Sequence, residues 1–386
     1  MSGVEGVGGP VPDRAWPSWV QARMALFGRQ WSSFQVCGAT GLCVGAGMAT
    51  VLARSVGLSP AVVSVLLLAG ALTFLTLAMA TKIVTGRESL VYYHHEVAIL
   101  AVSWGVLSAS GQPVLPYLDL TALGLGTFLA FGRWGCLLVG CCYGRPCRWG
   151  VRYGEQHAVE GFPCCYVGAR LLPVQALESA FVLLAVIVGA TQFLQGRPAG
   201  TVLSWYVVGY SAARFGFEEL RGDATRPYWW GFSEAQWTSL LLASSVVLAE
   251  TRGRLPFTWW HGAVAGGIVV AMVVLTSGRR SRAAMLRPGH MSELAAVLRW
   301  DRGATGRIEV RRTSLAIGLS VERFEENGDC TVLYSLSRSS HPLTEREAGV
   351  LARVILDLDP LGSPQHRLLR GQHHVFHLVT RGRWAS

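Results

Sequence analysis

Charge is scarce in this sequence. Only 15% of its 386 residues are Asp, Glu, Lys or Arg, where a soluble domain carries roughly a quarter. With 51% hydrophobic residues, that shortage excludes an ordinary soluble enzyme over the full length. No apolar stretch follows closely on a basic start and no clear cleavage site stands near the beginning, so a removable signal peptide is not expected. Internal repeats and low-complexity tracts are absent, which excludes solenoids and repeat arrays. The net charge of +10 comes without an aromatic-interleaved basic patch. Nucleic acid is therefore not an expected partner, and anionic membrane lipid is. The nine cysteines lack the spread of a secreted disulfide framework. Six of them fall between Cys136 and Cys165, which marks a local site.

What is present is a series of apolar runs. They cover about 34–53, 60–80, 96–110, 117–131, 172–194, 201–217, 235–248 and 259–276, each near the ~20 residues that cross a bilayer. The expected architecture is an all-α polytopic membrane bundle of seven to eight transmembrane helices with a small C-terminal α+β soluble domain. Residues 1–33 read as an N-terminal interfacial segment, with an amphipathic helix expected over 16–31, where Trp and Arg mix. Residues 34–277 form the membrane domain, 278–290 a basic linker and 291–386 the soluble domain. Tryptophans 205, 229, 230, 259 and 260 suit an aromatic belt. Gly38, Gly41, Gly45, Gly47 and Gly70 suit close helix packing. In the last domain, Asn327-Gly328 between 321–325 and 331–336 is a hairpin signal. Thr344-Glu345-Arg346-Glu347 is a capping box opening a helix to about Asp357, and 375–379 reads as a strand. His373, His374 and His377 read as exposed strand-edge residues, and this domain shows no catalytic constellation.

Four polar groups stand where lipid makes them costly, at roughly 2.5–3.5 kcal/mol for a charge at mid-helix. Tyr92-Tyr93-His94-His95-Glu96 offers a histidine beside a carboxylate, the makings of a base near neutral pH. Either His94 or His95 fits; the bland alternative is an interfacial aromatic anchor. The stretch 132–145, Gly-Arg-Trp-Gly-Cys-Leu-Leu-Val-Gly-Cys-Cys-Tyr-Gly-Arg, brackets glycines and cysteines between Arg133 and Arg145. Arginine presents planar donors to phosphate, and a basic loop at a membrane edge is the plain alternative. Gln175 and Glu178, after Pro173, share a helix face. Arg214, Glu218 and Arg221 recur at i, i+4 and i+7, one stripe of a helix that favours a bound anion or a simple salt bridge. Gln236 heads the seventh run.

Taken in order, these residues resemble the prolipoprotein diacylglyceryl transferases of bacterial membranes. That family's signature reads G-R-x-G-N-x-x-N-G-E-x-x-G-R. Gly132, Arg133, Gly135, Gly140, Gly144 and Arg145 fall on it without a gap. Pro173-x-Gln175-x-x-Glu178, Arg214-x-x-x-Glu218-x-x-Arg221 and the helix start around Gln236 resemble its later segments. The resemblance covers about 34–248 and implies a reaction. The diacylglyceryl group of phosphatidylglycerol passes to a lipobox cysteine thiol of a prolipoprotein, and glycerol phosphate leaves. It implies His94 or His95, Arg133, Arg214 and Glu218 as catalytic. It implies Gly135, Cys136, Gly140, Cys141, Tyr143, Gly144, Arg145, Gln175, Glu178, Arg221 and Gln236 as substrate-binding. It also implies a multi-pass place in the bacterial inner membrane, with no cofactor and no metal. The departures are Cys136 and Val139 for the signature's two asparagines, Cys141 for its glutamate, and Leu172 for a histidine.

The cysteine spacing lacks the C-x-x-C pairs usual for zinc, so disulfides or a reactive thiol at Cys141 or Cys142 are the readings weighed. Orientation draws two answers: basic residues counted by loop place the termini inside, whereas the resemblance turns the active face away from the cytoplasm. The rival functions are a non-catalytic lipid-binding scaffold and a membrane thiol-redox protein.

Overall fold

The computed structural model describes residues 20–86, 92–223, 227–278, 285–300, 309–326, 329–358 and 365–383. It opens on a correction. The expected amphipathic helix is a β-hairpin over its described part, with β1 (Arg23–Leu26) against β2 (Arg29–Ser32). The two-residue turn is Phe27-Gly28, both at positive φ. That is the backbone a tight hairpin requires, and glycine provides it cheaply. The remainder of that expected helix, and the Asn327-Gly328 turn, lie outside the described residues.

Long helices follow: α1 (Ser33–Ser55), α2 (Pro60–Thr85), α3 (Tyr92–Ala109) and α4 (Val114–Val139). After the short α5 (Glu155–Val159) come α6 (Val174–Leu194), α7 (Thr201–Leu220), α8 (Glu234–Thr251) and α9 (Trp259–Gly278). Five of these helices, α1, α2, α4, α6 and α9, are long and apolar enough to cross a membrane. Helix α4 is the central one, packing on α1, α3, α6 and α7. Its approach to α1 is set by missing side chains. A Cβ at Gly41 would stand 2.7 Å from the Cβ of Phe131, and one at Gly45 3.0 Å from the carbonyl oxygen of Gly124. These are the small-residue contacts by which helices associate in lipid.

Polar ties fix the two ends of the bundle. At one end the Asp119 carboxylate accepts the N–H groups of Gly200 and Leu203, both at 2.7 Å, and so caps the start of α7. Ser59 N–H donates to Tyr117 Oη there, and Glu250 meets His261 at the α8–α9 turn. The opposite end gathers the N-terminal hairpin, the α4–α6 connection, the α7–α8 connection and the chain beyond α9. Arg23 pairs with Glu160 across it at 2.6 Å.

The C-terminal part is a five-stranded antiparallel sheet. Its strands are β3 (Arg311–Arg312), β4 (Ile317–Glu326), β5 (Asp329–Arg338), β6 (Gln365–Arg370) and β7 (Phe376–Arg383), in the order β6-β7-β5-β4-β3. Helices α10 (Pro288–Trp300) and α11 (Glu345–Leu358) accompany them. The capping box forms: Thr344 N–H donates to Glu347 Oε2 at 2.9 Å, and Glu347 N–H to Thr344 Oγ1 at 3.3 Å. Of the three histidines, His373 and His374 are exposed, while His377 is half-buried with Nδ1 3.0 Å from Ser335 Oγ.

The composition boundary near 278–290 does not divide the packing. Tyr143, Tyr153, Phe162, Tyr166 and Leu171 of the α4–α6 connection share one hydrophobic core with Leu294, Ile317, Leu336, Leu351 and Ile355. Tyr166 Oη lies 3.3 Å from Ser292 Oγ, and Arg299 pairs with Glu155 at 2.9 Å. The C-terminal strand-containing part is thus seated on the end of the bundle that carries residues 132–145.

Two buried histidines flank this seam, and burial holds both below the ordinary imidazole value of 6.5. His157 accepts from Gly154 N–H and faces the Leu138 carbonyl. His290 sits between the Met285 carbonyl and Thr313 Oγ1. Unfolding frees each to bind a proton, so stability falls as pH drops below about 6.5 and is flat above it. Hydrogen exchange over 143–171 and 285–300 should show protection, corrected for intrinsic rates, lower at pH 5.5 than at pH 7.5. Equal protection at the two pH values would contradict the burial argument.

Candidate functional site

Helix α4 ends in a turn that brings its last polar side chains together. Gly140, at φ +81, takes the left-handed conformation that closes a helix, and the N–H groups of Gly140 and Cys141 both reach the Cys136 carbonyl. Cys142 then takes φ +57. The chain continues as the hub of this end. Gly144 N–H donates to the Leu172 carbonyl, Arg145 N–H to that of Leu220, and Gly222 N–H to that of Tyr143. A side chain at 144 has no room, since its Cβ would come 2.5 Å from the Leu172 oxygen. Residues 143–145 therefore staple the ends of α6 and α7 to the end of α4.

Under this hub lies a buried charge cluster. Arg133 of α4 is 6% exposed, Arg214 of α7 4% and Glu178 of α6 1%. Glu178 Oε2 stands 2.9 Å from Arg133 Nε and 3.9 Å from Arg214 Nη1. Its other oxygen accepts from Tyr210 Oη at 2.6 Å. Arg214 Nη2 pairs with Glu218 Oε2 at 2.7 Å, one turn along the same helix. Arginines 81 residues apart in the chain thus meet over one carboxylate. A buried ion pair of this kind is costly to break and holds its members in place.

The Arg214–Glu218–Arg221 stripe needs correction. Helix α7 ends at Leu220, and Arg221 is in extended backbone. It grips Asp223 with two bonds of 2.7 Å. Arg133, Arg214 and Arg221 are thereby matched by Glu178, Glu218 and Asp223, and the surplus positive charge inferred from the stripe is absent from this set.

The other candidate residues fall at varied distances from the cluster. Gln175 Nε2 donates to the Cys141 carbonyl at 2.7 Å and ties α6 to the signature turn. Gln236 caps its own helix through Ser233 and donates to Glu219 at 2.6 Å, a structural role at the head of α8. Tyr143 is buried against Phe162 and Tyr166. Gly135 allows α1 to approach, with a Cβ there 3.0 Å from the Cα of Phe34. His94 is exposed and lies 3.1 Å from Glu234, whereas His95 is buried with its ring 4.7 Å from that of Phe74.

Tyrosines join α3 to the cluster. Tyr92 Oη lies 3.5 Å from Tyr206 Oη, and Tyr206 stacks on Tyr210 at 5.9 Å. Tyr210 in turn reaches Glu178. Glu96 is 3% exposed, and its Oε2 accepts no hydrogen bond among the described residues. Tyr206, Tyr210 and Asp223 belong to none of the sequence motifs above. Tyr206 and Tyr210 do share the face of Arg214 at i−8 and i−4, a spacing that carries the signal.

The cysteine crowd also resolves. Cys136, Cys141 and Cys142 bring their sulfurs within 4.8 Å of one another, a grouping able to hold a metal ion. Cys147, Cys164 and Cys165 stand outside that group. All of these are free thiols here, as are Cys37 and Cys43.

Comparison with known proteins agrees with the motifs. The model of the family described as prolipoprotein diacylglyceryl transferase matches residues 90–250. The phosphatidylglycerol–prolipoprotein diacylglyceryl transferase of Clostridium tetani is 34% identical over 112 residues, 28% of this chain and 43% of the relative. Transferase 2 of Clostridium perfringens is 33% identical over 113 residues, 28% of this chain and 41% of the relative. The Dehalococcoides mccartyi enzyme (strain 195) is 30% identical over 132 residues, 34% and 48% of the two chains. The match spans less than half the length of each of these relatives. The resemblance carried by the motifs is thus shown over residues 90–250, where this chain is similar to the prolipoprotein diacylglyceryl transferase family.

Proposed function

We propose that the helical part of this chain is a bacterial cytoplasmic-membrane transferase. It moves the diacylglyceryl group of phosphatidylglycerol to the lipobox cysteine thiol of a prolipoprotein. All eight long helices described above cross the bilayer in this reading. The observation that carries it is the meeting of Arg133 and Arg214 on Glu178 beneath the signature turn. In the reaction a sulfur–carbon bond forms to the glycerol carbon and that carbon's bond to phosphate oxygen breaks. The thiol proton goes to a base, and the electron pair leaves with glycerol phosphate. Guanidinium groups stabilise the charge that grows on the departing oxygen. The thiolate is the nucleophile, so a base must stand near; His94, His95 and Glu96 are its candidates. Glu178 and Glu218 orient the arginines until phosphate takes a place beside them.

A second reading, a non-catalytic lipid-binding scaffold, has its own support. Three acids match three arginines, and Cys136, Val139 and Cys141 stand where the family signature has asparagine and glutamate. Complementation of a strain depleted of its own diacylglyceryl transferase separates the two. The transferase reading expects rescue that Arg133→Ala and Arg214→Ala each abolish while Cys141→Ser retains it. Absence of rescue by a stably expressed chain would support the scaffold.

A further inference from the structure

We propose that Cys136, Cys141 and Cys142 form a binding site for one soft metal ion, with Cu(I) as the ion that fits best. The proposal does not depend on the transferase reading.

The site follows from how α4 ends. When a helix closes on a left-handed glycine, the residue after the glycine folds back over the last turn, and the side chains at those two places touch. Here the glycine is Gly140, and the residues brought together are Cys136 and Cys141, joined by the hydrogen bond from Cys141 N–H to the Cys136 carbonyl. Cys142, at φ +57, turns the chain again in a conformation uncommon for a residue with a side chain. The third sulfur is thereby returned to the other two. A spacing of four residues and then none is poor as a linear zinc pattern. It becomes a triangle only because the helix stops between the first and second thiols.

The triangle suits a particular kind of ion. Sulfur binds a metal at about 2.3 Å, so three sulfurs around one ion stand about 4 Å apart. The observed mutual separations, all within 4.8 Å, need little adjustment. Thiolates select soft ions such as Cu(I). Structural zinc sites are nearly always four-coordinate, and no fourth His, Cys, Asp or Glu atom joins this group among the described residues. Access is present as well, since Cys141 is exposed, Cys142 half-buried and Cys136 buried. Cations stand nearby too: Arg133 and Arg221, each already paired with an acid, both lie within Coulombic reach of the Cys142 sulfur. Binding forms three S–Cu bonds and releases the thiol protons to water, with no change of oxidation state.

The test uses the full chain, purified in detergent under reducing, anaerobic conditions. Cu(I) is added in competition with a chromogenic Cu(I) chelator. One equivalent should bind per chain, with a sulfur-to-copper charge-transfer band in the ultraviolet. Cys136→Ser, Cys141→Ser and Cys142→Ser should each weaken binding at least 10-fold, and Cys147→Ser and Cys164→Ser should leave it unchanged. A readout on the unaltered protein guards against misfolded variants: one equivalent of Cu(I) should slow maleimide labelling of Cys141 at least 10-fold and leave Cys164 labelling as it was. Full-strength binding in the triple serine variant would overturn the site. So would failure of the fully reduced parent protein to bind one equivalent, or equal protection of Cys164 and Cys141.

Discussion

Replacing Glu178 by alanine should destabilise the helical bundle by about 3–5 kcal/mol, the cost of removing one partner from a buried ion pair. Glu178 is 1% exposed and serves three groups at once: Arg133, Arg214 and the Tyr210 hydroxyl. Without it, two guanidinium groups remain buried, with Arg214 still paired to Glu218. Tyr210 loses its acceptor at the same time, which adds roughly 1–3 kcal/mol if no other acceptor is found. Glutamine is not a mild replacement. Its amide oxygen can still accept from Tyr210, but its NH2 group then faces Arg133, donor against donor. Glu178→Gln should therefore recover only the tyrosine share of the loss. Thermal unfolding of the detergent-solubilised chain, followed by tryptophan fluorescence, checks both variants. If alanine costs less than about 1 kcal/mol, water must reach the arginines, and the cluster is not the closed unit described above.

How much of this was legible in the sequence depends on the range of the physics involved. The helices were, because a bilayer demands long apolar runs and leaves few alternatives. The capping box at Thr344 was, because its bonds are local. The signature turn and its later partners were legible as an ordered set of motifs. Their meeting point was not, since nothing in the spacing of Arg133, Glu178 and Arg214 states which carboxylate serves which arginine. The Arg214–Glu218–Arg221 stripe failed for a definite reason. It assumed one more helical residue, whereas α7 ends at Leu220 and Arg221 is extended, with the freed Leu220 carbonyl accepting from Arg145 N–H. The hairpin at 23–32 is masked in the sequence because its mixture of Trp and Arg also suits an amphipathic helix, and Phe27 is an unusual residue for a turn position at positive φ. The thiol triangle is invisible in linear spacing because the end of a helix folds the chain back on itself.

On the transferase reading proposed above, Arg133→Lys should lower diacylglyceryl transfer by roughly 100- to 1,000-fold, the loss seen when one donor to a developing anion is removed. Charge alone does not keep the function here. Arg133 meets Glu178 through Nε at 2.9 Å, which leaves the two terminal nitrogens of the fork for a second oxyanion. Lysine has one nitrogen at the end of its chain and must choose between the carboxylate and the phosphate. Because the lysine ammonium can still pair with Glu178, stability should change far less than in Glu178→Ala, by about 1 kcal/mol or less. This contrast is what a positioning or scaffold role does not predict. A scaffold needs only the charge balance, so it tolerates lysine in both readouts. Transfer to a lipobox peptide, measured with phosphatidylglycerol in proteoliposomes beside the melting curve of the same preparation, distinguishes the outcomes. A lysine variant that keeps parental transfer would show that the fork of Arg133 does not hold the leaving phosphate. The arginine would then belong to the architecture of α4, α6 and α7 and not to the chemistry.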